Sequence, residues 1–353
     1  MTAPSVTLHS NYLRILWPES HADYHFRWLR HNCDIDRHPA TGERIVDSSE
    51  LPEELPVRSA CAKEDGLRVV WDHDGRESFY AWDWLKQNAY AMNRSDVPPP
   101  SDVSSLTIDA GSRSWDDVLP EAWALVERCG AAVMKRAGTN FPEASTQTEA
   151  FVVACERREL KVVETHFGRI EDLRTDNSTN KNTDQLGYTN AAVDAHTDQP
   201  YLEKPPRYQA LHSIRAAEAG GESLVVDVLR AFHYLQSLDS LAAKLIAETP
   251  VHFYRKQKAF ERSLKSPLVT LEPEFMVRYS YFTMAPHQLP FDRMEAWYRA
   301  YDRFARIVRS PGFQYRFLLA PGDLLIYDNH RMLHGRTSFR GARWVRGIYF
   351  DPA

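Results

Sequence analysis

No run in this chain approaches the roughly 18 consecutive apolar residues that a membrane-crossing helix needs, so no membrane span is expected. The first twenty residues lack both a basic n-region and an apolar h-region, and a signal peptide is not expected either. Cysteine is sparse. Cys33, Cys61, Cys129 and Cys155 are the only four and none stands in CxxC spacing, which points to reduced structural thiols in a cytoplasmic enzyme. Positive charge is not in excess: 43 Lys and Arg stand against 48 Asp and Glu, for a net charge of −5. That balance argues against nucleic acid or an anionic membrane as a partner. There is no internal repeat, no low-complexity tract and no HExxH motif, and the last absence disfavours a zinc hydrolase. What is present is ordinary for a globular protein: 353 residues, 43% hydrophobic and 26% charged, enough for two domains or a catalytic domain with a smaller appendage.

The first hundred residues read as short strands, with alternation over 13–17, a β-rich run over 67–71, and aromatic residues at Trp28, Phe79, Trp82 and Trp84. Pro98, Pro99 and Pro100 then follow one another among Ser and Asp, where neither a helix nor a central strand can continue. This predicts a small β-rich domain over 1–95, a linker over 96–105 and a second domain over 106–353. In the second domain the patterns predict a helix over 115–128, a buried strand over 131–135, and a strand over 224–227 running into a helix over 229–247. An amphipathic helix follows Pro290, with Asp292 as its N-cap and Met294, Trp297, Tyr298, Tyr301, Phe304, Ala305 and Val308 on one face. Strands separated by long excursions suit a sheet sandwich better than a parallel βαβ array.

His196-Thr197-Asp198 places an imidazole and a carboxylate two residues apart, and on an extended strand such residues face the same side. Two histidines and one carboxylate on one face of an octahedron leave three positions for a cosubstrate and O2, the arrangement of non-haem Fe(II) oxygenases. By itself the pair is weak, since 14 histidines make a chance match easy. The block 328–351 strengthens it. Either His330 or His334 can supply a third ligand there, and an arginine about one strand later can grip a dicarboxylic acid bidentately.

Taken in order, His196-Thr197-Asp198-Gln199-Pro200-Tyr201, Leu211-His212-Ser213-Ile214, Gly220 to Asp227 and Asp328 to Arg336 resemble the γ-butyrobetaine hydroxylase and trimethyllysine dioxygenase branch of the taurine-dioxygenase-like oxygenases. Segments 14–18, 27–33 and 81–85 resemble the small N-terminal domain of that branch. The resemblance implies a mostly β fold with flanking helices: a double-stranded β-helix (jelly-roll) catalytic domain plus a small β-rich N-terminal domain. It implies Fe(II) held by His196, Asp198 and His334, with 2-oxoglutarate as cosubstrate anchored by Arg343 and lined by Ser223 and Leu211. No catalytic side chain beyond the ligands is implied, and relatives of this kind are homodimers. The reaction implied is hydroxylation of a small molecule by O2, with release of succinate and CO2.

Branch members that take trimethylammonium substrates surround the cation with aromatic rings, because a quaternary nitrogen has no proton to donate. By position Tyr188, Tyr349 and Phe167 belong to that cage, together with Tyr201. Glu171 departs from it, standing where an aromatic residue is expected. A second departure is 277–283, where an asparagine-rich segment is replaced by one offering Tyr281 and Thr283. These departures favour a quaternary-ammonium substrate whose anion differs from that of γ-butyrobetaine. A trimethylamino-alkylphosphonate or a trimethylated amino acid would fit, with Arg346, Arg278 or His287 as donors to the anion. γ-Butyrobetaine or trimethyllysine itself is the alternative, and a non-catalytic quaternary-amine-binding protein is the alternative of another class. A structural zinc is not expected in the N-terminal domain: Cys33, His38 and His73 are the available ligands, and Ile35 occupies a ligand position.

Overall fold

The computed structural model describes residues 4–17, 20–90, 92–94, 102–136, 138–175, 186–257 and 260–353. The chain divides into two compact units, Met1–Val97 and Pro98–Ala353. Most of the linker expected over 96–105 lies outside the described residues. At its C-terminal end the Asp102 carboxylate caps the short helix Val103–Leu106, and Leu106 is fully buried.

The first unit holds a four-stranded and a three-stranded antiparallel sheet. Their apolar faces meet in a core that includes Leu13, Ile15, Tyr24, Leu29 and Trp71. Cys33, His38 and His73 do not converge on a common point as metal ligands. The Cys33 thiol accepts a hydrogen bond from Arg30 at 3.1 Å, and Arg30 is itself ion-paired to Asp36 and to Asp74. Arg76 adds a second cation to Asp36 at 3.0 Å.

The second unit is a double-stranded β-helix. One sheet contains Trp344–Pro352, Tyr208–Arg215, Leu324–Asp328 and Ala131–Lys135 as neighbours. The facing sheet runs Val193–His196, Met332–Arg336, Ser223–Asp227, Gln314–Phe317. Alternation along each strand sorts side chains into layers. Leu211, Val225, Leu325 and Val345 point between the sheets. Ala210, Ile326, Ile348 and Phe350 point outward beneath the helices Trp115–Cys129 and Phe141–Glu156. Leu224 and Val226 cover the other outer face and pack with the helix Phe291–Arg309.

Two helices differ from the sequence-based expectation. The predicted helix over 229–247 is two helices, Val228–Leu238 and Ser240–Glu248, because Asp239 leaves helical geometry and its carboxylate accepts the Ala242 N–H to cap the second. The helix Phe291–Arg309 starts at Pro290 rather than Asp292, which lies in its first turn where an acid suits the helix dipole. Its inward face is Trp297, Ala300, Phe304, Ala305, Ile307 and Val308, with Tyr298 exposed. No helix among the described residues is long and apolar enough to cross a membrane.

Candidate active site

His196 ends the strand Val193–His196, and the residue directly across from it is His334 in Met332–Arg336. Cross-strand neighbours on one face must meet, and the two imidazole centroids are 4.3 Å apart. The close approach depends on Gly335, where a Cβ would lie 2.7 Å from the Val193 carbonyl oxygen. Asp198 follows in a turn held from two sides. Its N–H donates to Asn329 Oδ1 at 3.0 Å, while the Thr197 N–H donates to the Tyr279 carbonyl at 2.7 Å. As a result His196 Nε2 and Asp198 Oδ1 stand 3.3 Å apart. Among the described residues, His196, Asp198 and His334 form the one cluster whose ligand atoms all fall within 4.8 Å of one another.

The surrounding hydrogen bonds prepare these atoms for a metal. His196 Nδ1 faces the Asp194 carbonyl at 2.8 Å, so that nitrogen carries the proton and Nε2 is left with its lone pair. Tyr327 donates its hydroxyl proton to Gln209 Oε1 and so accepts from His334 Nδ1–H at 2.7 Å, which again frees Nε2. The Tyr349 hydroxyl donates to Asp198 Oδ2 at 2.7 Å and leaves Oδ1 available. Burial raises the affinity of Asp198 for its proton, but His334, His196 and the Tyr349 hydroxyl outweigh it and hold the carboxyl well below the ordinary range. Burial, then the neighbouring His196, pushes His334 down to about 3, so it is a neutral imidazole near pH 7. Bonds of about 2.1 Å at right angles put adjacent donors about 3 Å apart, close to the His196–Asp198 spacing. The donor set therefore fits a divalent iron. His330 is engaged elsewhere: its Nε2 meets the Pro205 carbonyl at 2.9 Å.

The triad opens into a cavity between the two sheets. Arg343, Ser223 and Leu211 line it, as do Phe167, Glu171, Tyr201 and Tyr349. The Arg343 guanidinium lies 5.5 Å from the Phe339 ring centroid. No hydrogen bond or ion pair joins it to any described residue, and burial followed by the charge of Arg336 lowers it to about 9. Arg336 is committed to the carbonyls of Ala191, Gly187 and Thr189. Tyr188 stands behind the lining, and its hydroxyl donates to the buried Glu171 carboxylate at 2.9 Å.

Four residues expected near the substrate lie elsewhere. Arg346 is an odd number of positions from both Arg343 and Tyr349, and alternation turns it to the opposite face. There it donates to Asp172, the Ser145 carbonyl and Thr148. Arg278 is buried against the carbonyls of Pro200, Leu202 and Glu203. His287 packs on Trp297 and Tyr298. Tyr281 turns its hydroxyl to the Asp194 N–H, while Thr283 of the same turn does line the cavity. The sequence reading missed Gln199, Gln209, Arg255, Ser280 and Tyr327. Only Gln199, directly after a proposed ligand, carried a local signal.

Residues 102–349 match the model of the taurine catabolism dioxygenase TauD, TfdA family. Residues 5–86 match the model for the gamma-butyrobetaine hydroxylase-like N-terminal region. The gamma-butyrobetaine dioxygenase of Pseudomonas sp. (strain AK-1) is 29% identical, over 96% of this chain and 90% of its own length. The trimethyllysine dioxygenase of Meyerozyma guilliermondii is 25% identical, over 92% of this chain and 86% of its own. An asparagine oxygenase solved with Fe(II), 2S,3S-3-hydroxyasparagine and succinate superposes with a TM-score of 0.50 at 17% identity, over 66% of this chain and 79% of that one, a likeness of fold alone.

Proposed function

The chain belongs to the taurine catabolism dioxygenase TauD, TfdA family, and on that basis we propose that it is an Fe(II)- and 2-oxoglutarate-dependent hydroxylase of a small quaternary-ammonium compound. One observation carries the reading: the His196–Asp198–His334 triad shares its cavity with Arg343, a cation that has no hydrogen-bond or ion-pair partner among the described residues. Bound iron and 2-oxoglutarate supply the oxidative chemistry, in which one C–H, O2 and the oxo acid become C–OH, succinate and CO2.

The chain's own residues position and shield. Arg343 presents a fork suited to the distal carboxylate of 2-oxoglutarate, with Ser223 and Leu211 shaping that end of the cavity. Phe167, Tyr201 and Tyr349 offer aromatic faces to a cation, and Glu171 adds a buried negative charge that Tyr188 holds in place. Asp194 and Tyr327 fix the imidazole tautomers, so the two ligating nitrogens need no reorganisation.

The acid among the aromatic residues supports a cation paired at short range, and a trimethylamino-alkylphosphonate is the form we favour. γ-Butyrobetaine is the second reading, supported by a relative that matches 96% of the chain. A homodimer belongs to the same proposal, and light scattering checks it. Succinate release against a panel of betaines, trimethyllysine and trimethylammonio-alkylphosphonates tests the substrate. Coupled turnover with one of them is the expected result, and a panel in which no quaternary ammonium raises succinate release sinks the substrate class. An anaerobic charge-transfer band with Fe(II) and 2-oxoglutarate tests the metal site, and it must be lost in His196→Ala.

A further inference from the structure

The strand Trp344–Pro352 lies between Glu171–Arg174 on one side and Tyr208–Arg215 on the other. Directly across from Gly347 stand Glu171 on the first neighbour and Leu211 on the second, and Gln209, two residues from Leu211, shares its face. Two strands that flank a common neighbour are about 10 Å apart, and a side chain on the middle strand ordinarily keeps theirs from meeting. Gly347 has none. A Cβ there would lie 3.8 Å from Gln209 Nε2 and 3.8 Å from Glu171 Oε2. The amide and the carboxylate therefore reach toward each other over bare backbone, across a gap that one water or one methyl group can fill.

Each of the two groups ends a chain of contacts. Tyr188 donates to Glu171 Oε1 at 2.9 Å, and Oε2 is the oxygen on the Gly347 side. Tyr327 donates to Gln209 Oε1, which turns Nε2 to the same place, and Tyr327 in turn accepts from His334 Nδ1–H at 2.7 Å. Gln209 and Glu171 are 1% and 3% exposed. In so dry a setting each bond polarises the next. A carboxylate that draws on Gln209 Nε2–H makes Gln209 Oε1 the better acceptor. The Tyr327 oxygen then pulls harder on the His334 proton, and His334 Nε2 becomes the stronger electron donor.

We propose that Gln209 is a positioning residue that couples the cation-binding end of the cavity to the iron site: it joins Glu171 to the ligand His334 through Tyr327, across the gap that Gly347 leaves. While the Glu171 charge is uncompensated, His334 donates strongly. A cation seated against Glu171 withdraws that support, so the chain registers its substrate at the metal ligand through its own side chains. By linkage the effect is reciprocal, and metal and cation each weaken the other. This coupling rests on the reading of the cavity as the site of Fe(II) and an ammonium substrate.

A double-mutant cycle on Fe(II) affinity, measured anaerobically by competition with a chelator, tests the link without turnover. Glu171→Gln should weaken Fe(II) binding about five-fold or more in the wild-type background, the scale of a modest coupling between sites, and less than about two-fold beside Gln209→Leu. It should also move the charge-transfer band of the Fe(II)- and 2-oxoglutarate-loaded protein where Gln209 is present and leave the band in place where it is not. Equal effects of Glu171→Gln in the two backgrounds would overturn the proposal, because a charge acting directly through space needs no Gln209. Gly347→Ala sets a methyl group into the gap at ordinary van der Waals distance and should uncouple the pair while keeping both polar groups. Coupling intact in that variant would also count against the bridge. If Gln209→Leu does not fold, Gly347→Ala carries the whole comparison. Choline, added in place of the Glu171 substitution, should weaken Fe(II) binding in the wild type and do so less in Gly347→Ala. Should the cycle show coupling while choline does not bind, the ammonium reading fails and the relay stands. Choline binding with an additive cycle is the converse.

Discussion

Replacing Arg343 with methionine should move two quantities in opposite directions. The guanidinium is held at about 9 against an ordinary 12.5, chiefly by burial. At about 1.4 kcal/mol per pH unit, that depression sets an upper limit on the order of 4–5 kcal/mol for the cost of keeping the charge buried. Water in the cavity screens part of this, so relief of about 1–2 kcal/mol is the working expectation. Methionine keeps an apolar stem beside Phe339 and removes the charge. The protein free of cosubstrate should therefore resist urea better than wild type. The same change removes a charge-assisted fork to a carboxylate, worth about 2–5 kcal/mol when desolvated. The KM for 2-oxoglutarate should rise about 30-fold or more. Urea titrations without ligand and initial rates against 2-oxoglutarate measure the two effects. A variant less stable than wild type by more than about 1 kcal/mol, or one with an unchanged KM, would refute the assignment of Arg343 as an anchor waiting for an anion.

Three other perturbations have defined outcomes. Tyr327→Phe removes the acceptor for His334 Nδ1–H and should lower Fe(II) affinity about 10–100-fold, measured by competition with a chelator. Arg346→Met should leave substrate KM unchanged while costing about 1–3 kcal/mol in urea unfolding, because Asp172, the Ser145 carbonyl and Thr148 each lose one hydrogen bond on the outer face. His212 is fully buried, and burial, then Arg346 and Arg136, pushes it down to about 4 from 6.5. The unfolded chain takes up this proton first as pH falls, so the stability it contributes is present above about 6.5 and is lost on going down toward 4. The loss should reach at most about 1.4 kcal/mol per pH unit. Urea midpoints at pH 7, 6 and 5 should show a shallower decline in His212→Asn than in wild type.

The parts of the site legible in the sequence are those set by short spacing. His196 and Asp198 are two residues apart, and the block from Asp328 to Arg336 offers two histidines and a strand. Even there the sequence alone left His330 beside His334, and they are separated by the cross-strand pairing of His334 with His196 and by the bond from His330 to Pro205. Strand 131–135 and the helix starting at Trp115 follow from local pattern, and both occur as read. The break at Asp239 does not, because an aspartate inside an apolar periodicity signals a cap only when the chain turns there. The misplacement of Arg346 has a related cause. It stands among pocket residues in the sequence, and only the phase of the strand separates the two faces. Gln199 and the turn 280–283 are joined through Thr197 and Tyr279, which are 82 positions apart. No local pattern announces such a contact.

The phase of that last strand also constrains how such a pocket can change over generations. Val345, Gly347 and Tyr349 look inward while Ile348 and Phe350 seal the helical layer. Losing or gaining one residue between Arg343 and Tyr349 would carry one of the two across the sheet, exchanging an anchor for a core side chain in a single mutational event. Length variation is therefore barred from this stretch. Point substitution stays open to it, and insertion is open to loops such as 286–290 that bear no strand phase. New substrates should accordingly be reached by swapping side chains at fixed stations and by remodelling turns, with the distance from anchor to metal inherited unchanged.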